Sequence, residues 1–453
     1  MDFNFYTPDD NVKFDFTSLI IFCYELEVAD IPRIKEAISW DRKSGGFDEK
    51  RSRLRATLMH EVTHFLDMTT TAAGMQYAIR KNLFLDSIDT EREETQAKVF
   101  MLEAAEYAMH HELIRAGAAP ALECPVIQHA LRYDERYGGY VTVLYVRNGQ
   151  FEHEVPLSML SLIEANAIAN EYLFELEDVQ SIEDVVDRTI QARFVEERFI
   201  DLINDPTKFE YSVLIYVARI HFQDVSLRTL LHLVAAVCRF TLAAEGGLMA
   251  LIANWMEGSA VNREVGWMIS MEMRRGASRH VVAFKTILFL YGWTETAAES
   301  NRESIRDLIL NDPYLAVEKL WQERLRIPKV YFDVQKLEWS ASMRILAKQR
   351  TLPDHQVFAE NDGVRQLLSG KPAGLCDFSD FTLLDLQLGD DASVAMPRPS
   401  AVAARAHFNR NMNNFSAIES GLGKRKLTRF HIRPGDELLP FNPFDSSHVV
   451  PDA

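Results

Sequence analysis

The stretch Leu58-Met59-His60-Glu61-Val62-Thr63-His64-Phe65 decides how this chain is read. Nothing between residues 53 and 70 breaks a helix: there is no Pro or Gly, and Asp48 or Ser52 stands in place to cap its start. On such a helix His60 and His64, four residues apart, share a face, so both imidazoles can hold one metal ion. Glu61 falls beside that ion rather than on it, placed to take a proton from a water molecule there. Leu54, Leu58, Val62, Phe65 and Leu66 recur at helical spacing and predict the core-facing stripe of an amphipathic helix. The histidines lie off that stripe, next to Ala56, Thr57 and Thr63. Two surface histidines beside an exposed glutamate would give the same letters, so the reading turns on a third ligand.

A catalytic zinc takes three protein ligands and keeps a fourth position open. The candidate is Glu164, in Pro156-Leu157-Ser158-Met159-Leu160-Ser161-Leu162-Ile163-Glu164-Ala165-Asn166-Ala167-Ile168-Ala169-Asn170-Glu171-Tyr172. This run predicts a nearly all-apolar helix, with Leu160, Ser161, Ala167 and Ile168 as the helical neighbours of Glu164. An unpaired carboxylate on such a face is costly. A metal ion would neutralise it, as would an arginine or a backbone amide. Ala167, one turn on, is small enough to let another helix approach.

His60-Glu61-x-x-His64, followed at a distance by Glu164 in an apolar E-x-x-A helix, resembles the gluzincin clan of zinc metallopeptidases. The resemblance covers about residues 50–175 and rests on two short motifs. It implies a zincin-like catalytic domain in which His60, His64 and Glu164 bind zinc and Glu61 is the general base, acting on a protein or peptide substrate. The segment between the ligands is long and holds an expected hairpin, residues 140–146 and 151–155 about a turn at Asn148-Gly149. That departs from the compact thermolysin-like arrangement and is closer to the small bacterial H-E-x-x-H peptidases of regulatory and phage-related systems. Tyr140, Tyr145, His153 and Tyr172 are the candidate donors to a tetrahedral oxyanion.

Other arrangements are weaker. The metzincin pattern needs Gly three residues after the second His and a ligand three beyond that; Asp67 and Thr70 stand there instead. Asp67 is expected either to hydrogen-bond a ligand histidine or a neighbouring side chain, or to lie on the helix surface. Glu103, Glu106 and His110 share a polar stripe on an expected helix over residues 90–115, a spacing typical of a solvated face. His110-His111, and His153 with Glu154, carry the same reservation.

The chain has 453 residues and a formal net charge of −17. An acidic protein repels nucleic acid, so none is expected as a partner. Cys23, Cys124, Cys238 and Cys376 are widely spaced and form no C-x-x-C pair, which fits a reducing, cytoplasmic setting. The N-terminus lacks a basic region followed by an apolar core, and no apolar run reaches the length of a membrane span, so no membrane partner is expected.

The expected architecture is α+β and mostly helical. Residues 1–178 form the zincin-like domain with a small sheet, opening on a strand within 17–26 and a helix over 31–40. Residues 179–327 form an all-helical domain, with helices over 182–202, 209–222, 227–244 and 304–322. Residues 328–453 form a partly irregular extension with a basic run from Lys424 to Arg433. The expected function is zinc-dependent peptide-bond hydrolysis, with a regulatory protein partner as the candidate trigger of an otherwise inactive enzyme. The alternative is a catalytically silent metal-binding sensor or interaction protein that uses its helical half.

Overall fold

The computed structural model describes residues 12–16, 18–24, 26–42, 46–86, 119–134, 138–260, 262–328, 330–349, 354–388 and 392–410. The expected helix over 90–115, with Glu103, Glu106 and His110, lies outside these residues, as does the basic run 424–433. The chain opens on strands β1 (Lys13–Asp15) and β2 (Ile20–Cys23), then helix α1 (Ile31–Ser39). Helix α2 (Glu49–Thr70) carries the histidine motif. Its start is fixed by Asp48, whose carboxylate accepts a hydrogen bond from the Arg51 amide at 2.7 Å. Helix α3 (Ala72–Asp86) follows after a break at Thr71.

Strands β3 (Val126–Asp134), β4 (Gly138–Arg147) and β5 (Gln150–Pro156) form an antiparallel meander. The β4–β5 turn places Asn148 and Gly149 at φ of 52° and 75°, the left-handed pair that a tight hairpin turn requires. The expected hairpin is therefore present, with β3 as a third strand that the sequence reading did not include.

Helix α4 (Met159–Gln180) is buried along nearly its whole length. Ser158 caps it, its hydroxyl accepting from the Ser161 amide at 3.2 Å. A helical region follows: α5 (Val185–Asn204), α6 (Phe209–His221), α7 (Leu227–Ala243), α8 (Gly246–Ser259), α9 (Arg263–Arg274) and α10 (Arg279–Thr296). The single helix expected over 304–322 is instead two, α11 (Glu299–Asn311) and α12 (Pro313–Leu325). Pro313 has no N–H with which to continue α11, and Asp312 starts α12 by accepting from the Leu315 amide at 3.1 Å. Helices α13 (Val330–Lys348), α14 (Asp354–Glu360) and α15 (Asp362–Leu367) lead to strands β6 (Leu386–Leu388) and β7 (Ser393–Val394).

The fold is thus α+β and mostly helical, with two small sheets among the described residues. The second sheet has the order β1-β2-β6-β7, and β6 pairs parallel to β2. Residues near 387 therefore complete a sheet begun near 14. One connected apolar core runs from Val12 to Ala404 and draws on all three expected segments. Among the described residues no single helix is long and apolar enough to cross a membrane. The apolar pair α7 and α8 is bent by 107°, and the side chains on its inner faces are core residues.

Helix α2 does not have the amphipathic section expected of it. From Leu58 to Thr70 every side chain is buried, the histidines included. A helix enclosed on all sides cannot leave polar groups unpaired, and the polar groups of α2 meet those of α4. Asp178 accepts from Arg55 at 3.0 Å and from Arg42 at 2.7 Å. Arg55 is 1% exposed and lies over the rings of Trp40, Phe174 and Phe378. Removing one partner of such a pair strands the other charge in the core, a loss of about 3–5 kcal/mol. Asp178→Ala is expected to destabilise the protein by that amount in urea unfolding, far more than removal of the exposed Asp224 from its pair with Arg306.

A second buried feature sets acid sensitivity. His153 on β5 packs against Tyr145 (centroids 4.4 Å) and Phe209 (4.7 Å), which also lie 5.0 Å from each other, and Tyr145 stacks on Tyr216. Burial lowers the His153 pKa to about 4, with Glu152 opposing weakly. The folded state thus favours the neutral ring. Its contribution to stability is complete above the unfolded value near ~6.5 and is lost as pH falls from there toward 4. His153→Phe, which keeps the stack, is expected to flatten the fall in urea midpoint between pH 6.5 and 4; an unchanged slope would refute the assignment.

Candidate metal centre

The three expected ligands converge. His60, His64 and Glu164 are all buried, and one donor atom from each lies within 4.8 Å of the others. His60 Nε2 is 3.3 Å from Glu164 Oε2, and His64 Nε2 is 3.5 Å from Glu164 Oε1. Two donors each about 2.05 Å from a tetrahedral ion stand about 3.3 Å apart, so these two separations leave room for a shared ion. His60 Nε2 is also a buried atom without a hydrogen-bond partner, facing the place such an ion would occupy. The residues present therefore fit a small divalent cation.

The electrostatics agree. Burial opposes charge on His60, but the carboxylates of Glu164 and Glu171 facing its two ring nitrogens outweigh it and push its pKa well above the usual value. Burial, followed by the His60 charge, pushes His64 well below. The site thus calls for positive charge beside Glu164, which a metal ion supplies while leaving both imidazoles neutral.

Two neighbours were not identified from the sequence. Glu171 Oε2 lies 2.9 Å from His60 Nδ1, the arrangement by which a carboxylate fixes the tautomer and direction of a metal-binding imidazole. Its signal was available, because Glu171 stands seven residues after Glu164, two turns along the same face of α4. Glu210, in the first turn of α6, is buried and its pKa is raised to about 7, by burial first and by the Glu164 charge next after an opposing backbone bond. Nothing local in the sequence marks it, since its meeting with Glu164 depends on how α6 packs on α4.

Glu61 is 2% exposed, and its Oε2 accepts a hydrogen bond from the Phe14 amide of β1 at 2.6 Å. The motif glutamate is thereby held in one orientation by the strand lying over α2. Phe14 and Phe16 pack against the His64 ring, at 6.3 and 5.4 Å between centroids, and shield that side of the cluster.

Asp67 meets one of the alternatives expected for it. It is buried rather than on the surface, and its two oxygens each accept from a neighbouring side chain, Asn166 Nδ2 at 2.9 Å, and not from a ligand histidine. Burial raises its pKa to about 7, against the opposing effects of Asn166 and Arg239. Of the candidate oxyanion donors, Tyr145 and His153 are committed to the aromatic stack beside α6. Tyr172 packs edge-on against Phe199 of α5, and Tyr140 stands opposite Arg132 in the meander. Glu154 forms a two-pronged pair with Arg132, so it is not a metal ligand here.

Comparison of the chain with protein-family models, with curated proteins and with solved structures gives no match.

Removing the His60 support should weaken the site without deleting a ligand. Glu171→Ala is expected to lower metal affinity about 10–100-fold, read by competition with a chromophoric chelator, while Glu164→Ala removes stoichiometric binding. Equal affinity in Glu171→Ala and wild type would exclude the supporting role.

Proposed function

We propose that the protein is a zinc-dependent peptidase whose metal is held by His60, His64 and Glu164. The observation that carries this reading is the buried convergence of two imidazoles and a carboxylate, with a second acid, Glu171, on the outer nitrogen of His60. Imidazole and carboxylate donors in a three-ligand set suit zinc with an open position. When bound there, zinc supplies Lewis acidity toward a carbonyl oxygen and toward water.

The chain's own residues do the rest. Glu61, directly after His60, is the base that accepts a proton from the attacking water and returns it to the leaving amine. The Phe14 amide on Oε2 fixes its orientation. Glu171 keeps His60 directed at the ion, and Phe14 and Phe16 exclude water from the His64 side. The enclosing β1 strand also supports a second reading, a metal-holding protein without turnover, because it confines the base as tightly as it positions it.

Elemental analysis and cleavage assays separate the two. The peptidase reading expects about one zinc per chain, lost in His60→Ala and Glu164→Ala. It also expects Glu61→Gln to retain zinc while losing peptide cleavage by at least about a thousandfold. A zinc-loaded wild type that cleaves no member of a diverse peptide library would favour the silent reading. A wild type purified without chelator and free of metal would overturn both.

A further inference from the structure

A cavity of about 400 Å³ lies between β3, β4 and the helices α8, α9 and α10, and the metal centre does not use it. This is within the size range of small-molecule sites, roughly 300–1,000 Å³. Leu131, Val141, Met256, Ile269 and Val281 give it apolar walls.

Its polar groups are few and specific. Lys285 of α10 places Nζ 3.2 Å from His129 Nε2 of β3. The ammonium can only donate, so His129 accepts at Nε2 and carries its proton on Nδ1. Among the described residues Lys285 has no acidic ion-pair partner, in a chain with 66 Asp and Glu against 49 Lys and Arg. Lys285 is half-buried and His129 stands exposed at the mouth of the cavity; partial burial lowers the Lys285 pKa, and partial burial followed by the Lys285 charge lowers that of His129. At the inner wall stands Ser270, 1% exposed, whose buried hydroxyl has no hydrogen-bond partner. A buried hydroxyl without a partner is uncommon in a native core, and this one lines the cavity.

We propose that this cavity is a binding site for a small apolar carboxylate, its head group held by Lys285 and His129 and its apolar body between the sheet and α9, reaching toward Ser270. A half-buried cation with no acid beside it is stabilised by a bound anion. A chain or ring of apolar atoms fits the walls, whereas a small polar anion would leave them unfilled. The proposal is independent of the metal centre, sharing none of its residues.

Decanoate, decanol and acetate test the two halves of the recognition on the full-length protein, by isothermal titration. Decanoate is expected to bind once per chain, acetate not measurably, and decanol at least tenfold more weakly than decanoate. Lys285→Gln should weaken decanoate at least tenfold and leave decanol unchanged, whereas Lys285→Arg should retain most of the affinity. Ser270→Leu, which fills the inner end, should weaken both long-chain ligands, with its circular dichroism and unfolding midpoint reporting that it folds. Decanoate binding that is missing, non-saturable, or equal in wild type and Lys285→Gln would overturn the proposal. So would tight acetate binding, which would show a simple anion contact instead.

Discussion

Taking the 22-residue helix α4 out of water on almost every side obliges its polar side chains to find partners inside the protein. Much of the structure follows from how they do so. Asp178 meets Arg42 and Arg55, Asn166 meets Asp67, and Glu164 meets His60 and His64. Asn170 offers its side-chain oxygen to the Gly374 amide at 2.8 Å, at a point where a Cβ on residue 374 would lie 2.3 Å from the Asn170 carbonyl. The pairs Arg55–Asp178, His60–Glu164, His64–Glu164 and Asp67–Asn166 join α2 to α4. A slip of one turn between the two helices would strand these four, so their register and the assembly of the site are one constraint.

The same need explains the long basic side chains of the helical region. Arg239 of α7 donates to the Thr70 carbonyl and hydroxyl at 2.8 Å, closing the C-terminal end of α2. Arg279 donates to the carbonyls of Thr241 and Ala244, each at 2.7 Å, and closes the end of α7. Carbonyls at a helix end have no partner within the helix, and a buried end needs a donor from elsewhere. Arg274 pairs with Glu257 and Asn254, tying α9 to α8. Arg239, Arg274 and Arg279 are therefore structural. Arg239 acts on Asp67 and Glu210 on Glu164, so this half reaches the surroundings of the His60–His64–Glu164 cluster.

Local features were legible because a few neighbouring residues determine them. The spacing of His60 and His64 on an unbroken helix, the Asp48 cap, the Asn148-Gly149 turn and the apolar run around Glu164 each depend on contacts within a turn or two. So does the expectation that Glu164 is buried, since an acid among apolar neighbours on a helix advertises a buried charge. Periodicity misled where burial is complete. Helix α2 from residue 58 has no solvent face, so its apolar stripe carried no information about which side the histidines occupy.

The sequence by itself determined the helix that presents two imidazoles, the helix that presents a carboxylate, the hairpin between them and the α+β class, because short-range geometry and side-chain chemistry suffice for each. Tertiary structure alone decided that Asp67 is held by Asn166 and not by a histidine, that Glu171 and Glu210 flank the site, and that β6 completes a sheet with β2. It also decided that Lys285 and His129 meet across a cavity. Those pairings join residues far apart in the chain, and they follow from which faces meet when the core closes, a quantity that no local spacing contains.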